Sequence, residues 1–201
     1  MRESAWLIDL DGTLYRALPV KLLMAVELVL GGWRSISVLR RFRHEHERLR
    51  QDPPPDGASP FAVQLERTAV ATGVAAAEVE RTVAAWMIRR PGKWLRLFRR
   101  RGLLTEIAAF REAGGKTALV SDYPAREKLR ALGAEALFDT VVANGEAGGP
   151  PRLKPSPDGF RLAAERLGVA PEACLVVGDR DDADGEAARR AGMAFRLVPE
   201  P

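Results

Sequence analysis

The 201-residue chain has a single cysteine, Cys174, and only two histidines, His44 and His46. One thiol cannot form an internal disulfide, and no multi-cysteine zinc site can be built from it. With so few imidazoles, a metal centre here has to be made of carboxylates. Long apolar runs are missing too. Leu18 to Leu30 covers 13 residues and contains Pro19, Lys21 and Glu27, well short of the ~20 needed to cross a bilayer. The apolar run near the N-terminus, Ala5 to Ile8, is too brief for a cleavable signal. These absences exclude a disulfide-stapled scaffold and a membrane-spanning helix, and a reducing, cytoplasmic setting is the expectation.

What is present is an ordinary globular balance, 46% apolar and 29% charged residues with no low-complexity tract, enough for one full domain with a smaller insert. The formal charge of +4 is unevenly spread: residues 15–104 carry +9 and the remainder −5. The basic excess therefore belongs to one segment.

The C-terminal half alternates β-rich runs with helical stretches, the pattern that builds a parallel sheet with crossover helices. Strands are predicted at Ala5 to Leu10, Lys116 to Ser121, Phe138 to Ala143, Ala173 to Gly178 and Ala194 to Val198. Helices are predicted at Leu103 to Ala113, Pro124 to Leu132, Ser156 to Leu167 and Ala183 to Ala191, each closed by glycine. Between the first strand and these helices the residues read as helical segments: Val20 to Leu30, Arg34 to Arg50, Pro60 to Thr72, Ala76 to Arg90 and Lys93 to Arg101. A helical module is thus inserted into an α/β domain just after its first strand.

Asp9-Leu10-Asp11-Gly12-Thr13 closes that strand. Residues two apart on a strand point the same way, so Asp9 and Asp11 are expected to address one site at the carboxyl edge of the sheet, where open α/β folds bind ligands. Carboxylates so close repel unless a cation or an unequally shared proton intervenes. That suits one ionised group, nucleophile or metal ligand, beside one protonated acid. The second strand ends at Ser121-Asp122, a hydroxyl and free amides at a helix start, suited to an anion. Lys154, just before Pro155, is placed to neutralise an anionic ligand. The fourth strand runs into Gly178-Asp179-Arg180-Asp181-Asp182-Ala183-Asp184, and four acids in six residues are hard oxygen donors of the kind that hold Mg²⁺.

The ordered set Asp9-Leu10-Asp11-Gly12-Thr13-Leu14-Tyr15, Ser121, Lys154-Pro155 and Gly178-Asp179 with Asp184 closely resembles the four motifs of the haloacid-dehalogenase-like (HAD) hydrolase superfamily. The resemblance implies a three-layer Rossmann-like α/β core over residues 1–14 and 103–201, with residues 15–102 as an all-helical cap similar to the C1 class. It implies Asp9 as nucleophile, forming an aspartyl-phosphate, and Asp11 as the acid that protonates the leaving oxygen and then activates water. Ser121, Asp122 and Lys154 would bind the phosphoryl group. Mg²⁺ would be held by the Asp9 carboxylate, the Asp11 main-chain carbonyl and Asp179, with Asp184 ordering metal-bound water or Lys154. Dehalogenation, which attacks carbon, needs neither Asp11 nor a magnesium site, so the expectation is a phosphomonoesterase acting on a small phosphorylated metabolite. A phosphomutase on the same core is the alternative within the family. The alternative outside it is a non-catalytic protein docking through its basic module, against which the intact motif set speaks.

The insert is read from its faces. Val38, Leu39, Phe42 and Leu49 form an apolar seam that includes His46, expected as a packed histidine, while His44 falls on the charged side. Val20 to Leu30 is apolar around most of its circumference and is expected to be buried between insert and core, with membrane-surface contact the lesser reading. Arg40-Arg41 and Arg99-Arg100-Arg101 are expected to be solvated faces and not nucleic-acid contacts, and Trp33, Trp86 and Trp94 to pack in the core. Cys174 is expected as a small buried apolar residue. Nothing in the sequence sets an oligomeric state.

Overall fold

Five short apolar stretches become the strands of one parallel sheet in the computed structural model, which describes residues 3–199. The strands are β1 (Ala5–Ile8), β2 (Lys116–Ser121), β3 (Thr140–Ala143), β4 (Cys174–Gly178) and β5 (Ala194–Leu197), in the spatial order β3-β2-β1-β4-β5. The helices are α1 (Ala17–Gly31), α2 (Ile36–Gln51), α3 (Pro60–Thr72), α4 (Ala76–Val83) and α5 (Gly92–Phe98) in the insert, then α6 (Arg101–Glu112), α7 (Arg126–Leu132), α8 (Asp158–Leu167) and α9 (Glu186–Ala191) around the sheet.

The two-residue period of a strand sorts the core into two layers. Leu7, level with Ala118 and Val176, packs with Phe160 of α8 and Ala187 of α9. Ile8, level with Leu119 and Val177, packs on the other face with Ile107 of α6 and Leu129 of α7. Cys174 is buried in the first of these layers, as its place in a central strand predicts.

The insert has its own core of Val38, Leu39, Phe42, Val79, Val83 and Trp86, with Phe61 edge-on to Phe42 at 5.8 Å. The chain enters and leaves it through two paired segments. Tyr15 and Arg99 form an antiparallel bridge, the Arg16 N–H donates to the Phe98 carbonyl at 2.9 Å, and the Arg100 N–H donates to the Leu14 carbonyl at 2.8 Å.

Several expectations are corrected. The first strand ends at Ile8 and not at Leu10; the Asp9 N–H still donates to Val177 at 2.9 Å, but the chain then turns. The turn requires glycine at Gly12, whose φ is +104° and where a side chain would collide with the Asp179 carboxylate. The helix predicted from Arg34 begins as a tight turn over Trp33–Ser35, and α1 meets that turn and α2 at a bend of 111°. The helices predicted from Pro124 and Ser156 start at Arg126 and Asp158, and the segment before α9, Asp181–Gly185, is a wide π turn.

The largest difference concerns α1. Only Ala17 and Val20 are buried, and Leu18, Leu22, Val26, Val29 and Leu30 are exposed. The helix packs on one side alone, where Val20, Met24 and Leu95 share a core, and among the described residues no layer lies outside it. Trp33, expected to pack, is exposed; Trp86 is buried, and Trp94 is half-buried with its indole N–H on Glu27 at 2.8 Å. Arg40 is exposed as expected, whereas Arg99 and Arg100 are half-buried at the paired segments.

Candidate active site

All the strands are parallel, so β1, β2 and β4 end at one edge, and their following residues meet there. Asp9 and Lys154 are buried, and the Lys154 ammonium donates to Asp9 Oδ1 at 2.5 Å and to the Val120 carbonyl at 3.1 Å. Thr13 Oγ1 donates to the other Asp9 oxygen at 3.0 Å. Asp9, Asp179 and Asp184 each place a carboxylate oxygen within 4.8 Å of the others. Gly178 is required beside them, because a Cβ there would strike the Asp184 carboxylate.

The charges of this cluster do not balance. Asp184 Oδ1 lies 2.8 Å from the Lys154 ammonium but is poorly aligned with it, and among the described residues this buried atom has no hydrogen-bond donor. Burial pushes the Asp9 carboxyl up to about 8; Lys154 opposes the shift, while Asp184 and Asp179 add to it. Burial, then the neighbouring Asp184, raises Asp179 as well. Three acids against one ammonium, with oxygen donors only, fit a hard divalent cation and exclude a soft-metal site.

Asp11 is set apart from Asp9. Both its carboxylate oxygens accept from the Lys128 ammonium, at 2.7 and 2.8 Å, and the Tyr15 hydroxyl donates to one of them. Burial alone would raise this carboxyl, but the charge and hydrogen bonds of Lys128, with Tyr15, hold it below the ordinary carboxylate range. A shared strand direction therefore does not describe the pair: the turn after Ile8 sends Asp9 toward Lys154 and Asp11 toward α7.

Ser121 is buried at the end of β2, and its Oγ accepts from the Tyr123 N–H at 3.2 Å. The Asp122 carboxylate accepts the Lys154 N–H at 3.1 Å, and its other oxygen lies 3.8 Å from His46 Nε2. Its side chain thus braces the Lys154 loop, and any anion contact from Asp122 falls to its main chain. His46 is packed as expected, stacked on Tyr123 at 4.5 Å with Nδ1 3.4 Å from Gln64 Oε1, and burial holds its imidazole below the usual value. Arg50 of α2 donates from Nε to the Lys154 carbonyl at 2.7 Å, tying the insert to the site.

Lys128 and Arg50 escape the motif reading. Lys128 left a signal: Ala125, Lys128, Leu129 and Leu132 form a buried stripe at helical spacing, and a lysine on an apolar stripe needs a partner. Arg50 left none, since its partner is 104 residues away.

Comparison with known proteins agrees with this geometry. The family model for haloacid dehalogenase-like hydrolases matches residues 4–192. A glyceraldehyde 3-phosphate phosphatase from Methanopyrus kandleri is 49% identical over 67 residues, 33% of this chain and 28% of that protein. A phosphoserine phosphatase from Thermus thermophilus is 34% identical over 143 residues, 68% of this chain and 53% of that protein. The matched stretches thus span about half or less of these relatives. In fold, the L-2-haloacid dehalogenase from Xanthobacter autotrophicus superposes with a TM-score of 0.65 at 21% identity, covering 98% of this chain and 78% of its own.

Proposed function

The chain belongs to the haloacid dehalogenase-like hydrolases, and from that premise we propose that it is a Mg²⁺-dependent phosphomonoesterase acting on a small phosphorylated metabolite, with residues 15–102 as its cap. The observation that carries this reading is the buried Lys154 ammonium on Asp9 with Asp179 and Asp184 around it, a nucleophile-sized carboxylate beside fixed positive charge at the ligand-binding edge of the sheet. The relatives named above are phosphatases of small phosphate esters by their names, which supports the substrate class.

An Asp9 oxygen attacks phosphorus, the bond to the leaving oxygen breaks, and an aspartyl-phosphate forms; water then attacks that phosphorus and releases phosphate. Thr13 orients Asp9 through its second oxygen, and Lys154, with Ser121 and the Asp122 main chain, neutralises and positions the transferring group. Mg²⁺ would be held by Asp9, Asp179 and the Asp11 carbonyl, and when bound it supplies the charge neutralisation that lets a dianionic ester approach three carboxylates.

Asp11 gives a proton to the leaving oxygen and takes one from the attacking water. The ionised form held by Lys128 and Tyr15 suits the second step; the first requires that hold to loosen once the ester is in place. The same carboxylate argues against carbon–halogen cleavage, where the departing halide needs no proton. Cys174, buried and unpaired, is compatible with a reducing compartment.

The test is hydrolysis of an aryl phosphate by the whole chain. Turnover is expected with Mg²⁺, is abolished by EDTA, and returns with Mg²⁺ but poorly with Ca²⁺, whose larger oxygen shell disturbs in-line attack. Full activity in chelator would remove the metal from the mechanism, and no hydrolysis of any phosphate ester in a metabolite panel would remove the function.

A further inference from the structure

We propose that the outer face of α1, together with an arginine-lined groove at its N-terminal end, docks on an anionic lipid bilayer. Six of the nine large apolar side chains that the described residues expose lie between positions 18 and 33, so they form one patch and not a scatter. Leu18, Leu22, Val26 and Val29 fall within an arc of about 80° on α1, each more than half exposed. Leu30, 81% exposed, and Trp33, 64% exposed, extend the patch at its far end.

The rim of this patch is basic. Arg16 precedes the helix, Lys21 flanks the stripe, and Arg34 lies over the Trp33 ring at 5.2 Å; all three are exposed. Glu27, the acid of α1, is turned to the opposite side, 2.8 Å from Lys93. Arg16 also lines a groove of about 660 Å³ with Arg99, Arg100, Arg101, Arg196 and the exposed Leu97. The groove's acid, Glu106, is already engaged by Arg196 at 2.9 Å. Arg99 and Arg100 are half-buried at its wall, Arg100 donating from Nε to the Gly12 carbonyl at 3.3 Å, and Arg101 is exposed. The exposed guanidinium groups of Arg16 and Arg101 are the ones that a phosphate oxygen reaches.

Charge decides between occupants. A second copy would bring the same rim of a segment carrying +9 against itself, which repels. An anionic leaflet offers an apolar layer and phosphates side by side, and an exposed tryptophan beside an apolar helix is the side chain that settles at its interface.

The experiment is cosedimentation of the whole chain with vesicles of phosphatidylcholine, alone and with phosphatidylserine. Binding to the anionic vesicles is expected to exceed binding to neutral ones by about tenfold or more, since each basic group near the leaflet contributes about fivefold, and to fall with salt. The Leu22→Asp/Val26→Asp variant, changed only at exposed positions, is expected to keep its circular dichroism and melting temperature while losing tenfold or more of that binding, on the order expected for removing buried apolar area. Arg34→Glu repeats the test outside the helix, with an expected loss of about fivefold or more. Equal binding to both vesicle types, or undiminished binding by both variants, overturns the proposal. So does a concentration-dependent dimer in sedimentation velocity that Leu22→Asp/Val26→Asp abolishes, which assigns the face to a second copy.

Discussion

The two sides of the candidate site are assembled by different rules. On the sheet side, Asp9 and Asp179 follow two parallel strands and Ser121 ends the third, and the sheet delivers them to one edge whatever the helices do. On the helical side, Lys128, Arg50 and His46 reach in from the faces of α7 and α2, and their arrival depends on how each helix is rotated and docked. Under the proposed function the sheet side would supply the groups whose chemistry is needed and the helical side those that aim them. Removing a member of the first set should therefore stop the reaction, and removing one of the second should retune it.

Asp9→Asn is the sharpest test of that division. An amide cannot attack phosphorus, so turnover of an aryl phosphate should fall by about 10³-fold or more while the melting temperature stays near that of the parent. Turnover within tenfold of the parent would place the nucleophile elsewhere.

Lys128→Met should act through Asp11 alone. Without the ammonium Asp11 holds its proton more readily, which favours protonation of the leaving oxygen and hinders activation of water, so a loss on the order of 10²-fold in kcat is expected for p-nitrophenyl phosphate, whose leaving oxygen needs no proton, and a smaller loss for alkyl phosphates, whose does. Lys128→Arg should recover part of it. Equal losses on both substrates would mean that Lys128 merely supports the fold.

Ionic strength tests the insert as a whole. Residues 15–104 carry +9 above a core carrying −5, and a dianionic ester is drawn by the former. Raising salt from ~10 to ~300 mM should lower kcat/KM several-fold, as the Debye length falls from ~30 Å to below ~8 Å, with kcat changing less. A flat profile would show that the arginines act away from the cleft.

The smallest effect is at His46. Its unfolded imidazole titrates near 6.5 and burial holds the folded one lower, so the unfolded state takes the proton first. Its contribution to stability is present above 6.5 and is lost as the pH falls toward the folded value. The urea midpoint of the parent should drop more than that of His46→Gln between about pH 7 and 5, and parallel slopes would exclude the histidine as a source.

How much of this was legible varies by element. The ends of β2 and β4 were, because an apolar run followed by Ser-Asp or Gly-Asp marks the edge of a parallel sheet in one dimension. The turn after Ile8 was not: alternation along a strand placed Asp9 and Asp11 side by side, and only the close approach of the Asp179 carboxylate, 167 residues on, explains why the turn carries glycine at position 12. Helix α1 shows the opposite failure. An apolar circumference reads as burial, yet whether a layer covers it is a property of the assembled molecule.

The sequence by itself determined the sheet, the inserted helices and the identity of the acids and lysine at the sheet edge, because local periodicity and strand termini are encoded by neighbours in the chain. Only the tertiary structure decided that Lys128 and Tyr15 claim Asp11, that Arg50 anchors the Lys154 loop, and that α1 keeps its apolar face outside. Those outcomes depend on the packing angles of helices against distant partners, and the apolar stripe that sets such an angle does not name the residue it will meet.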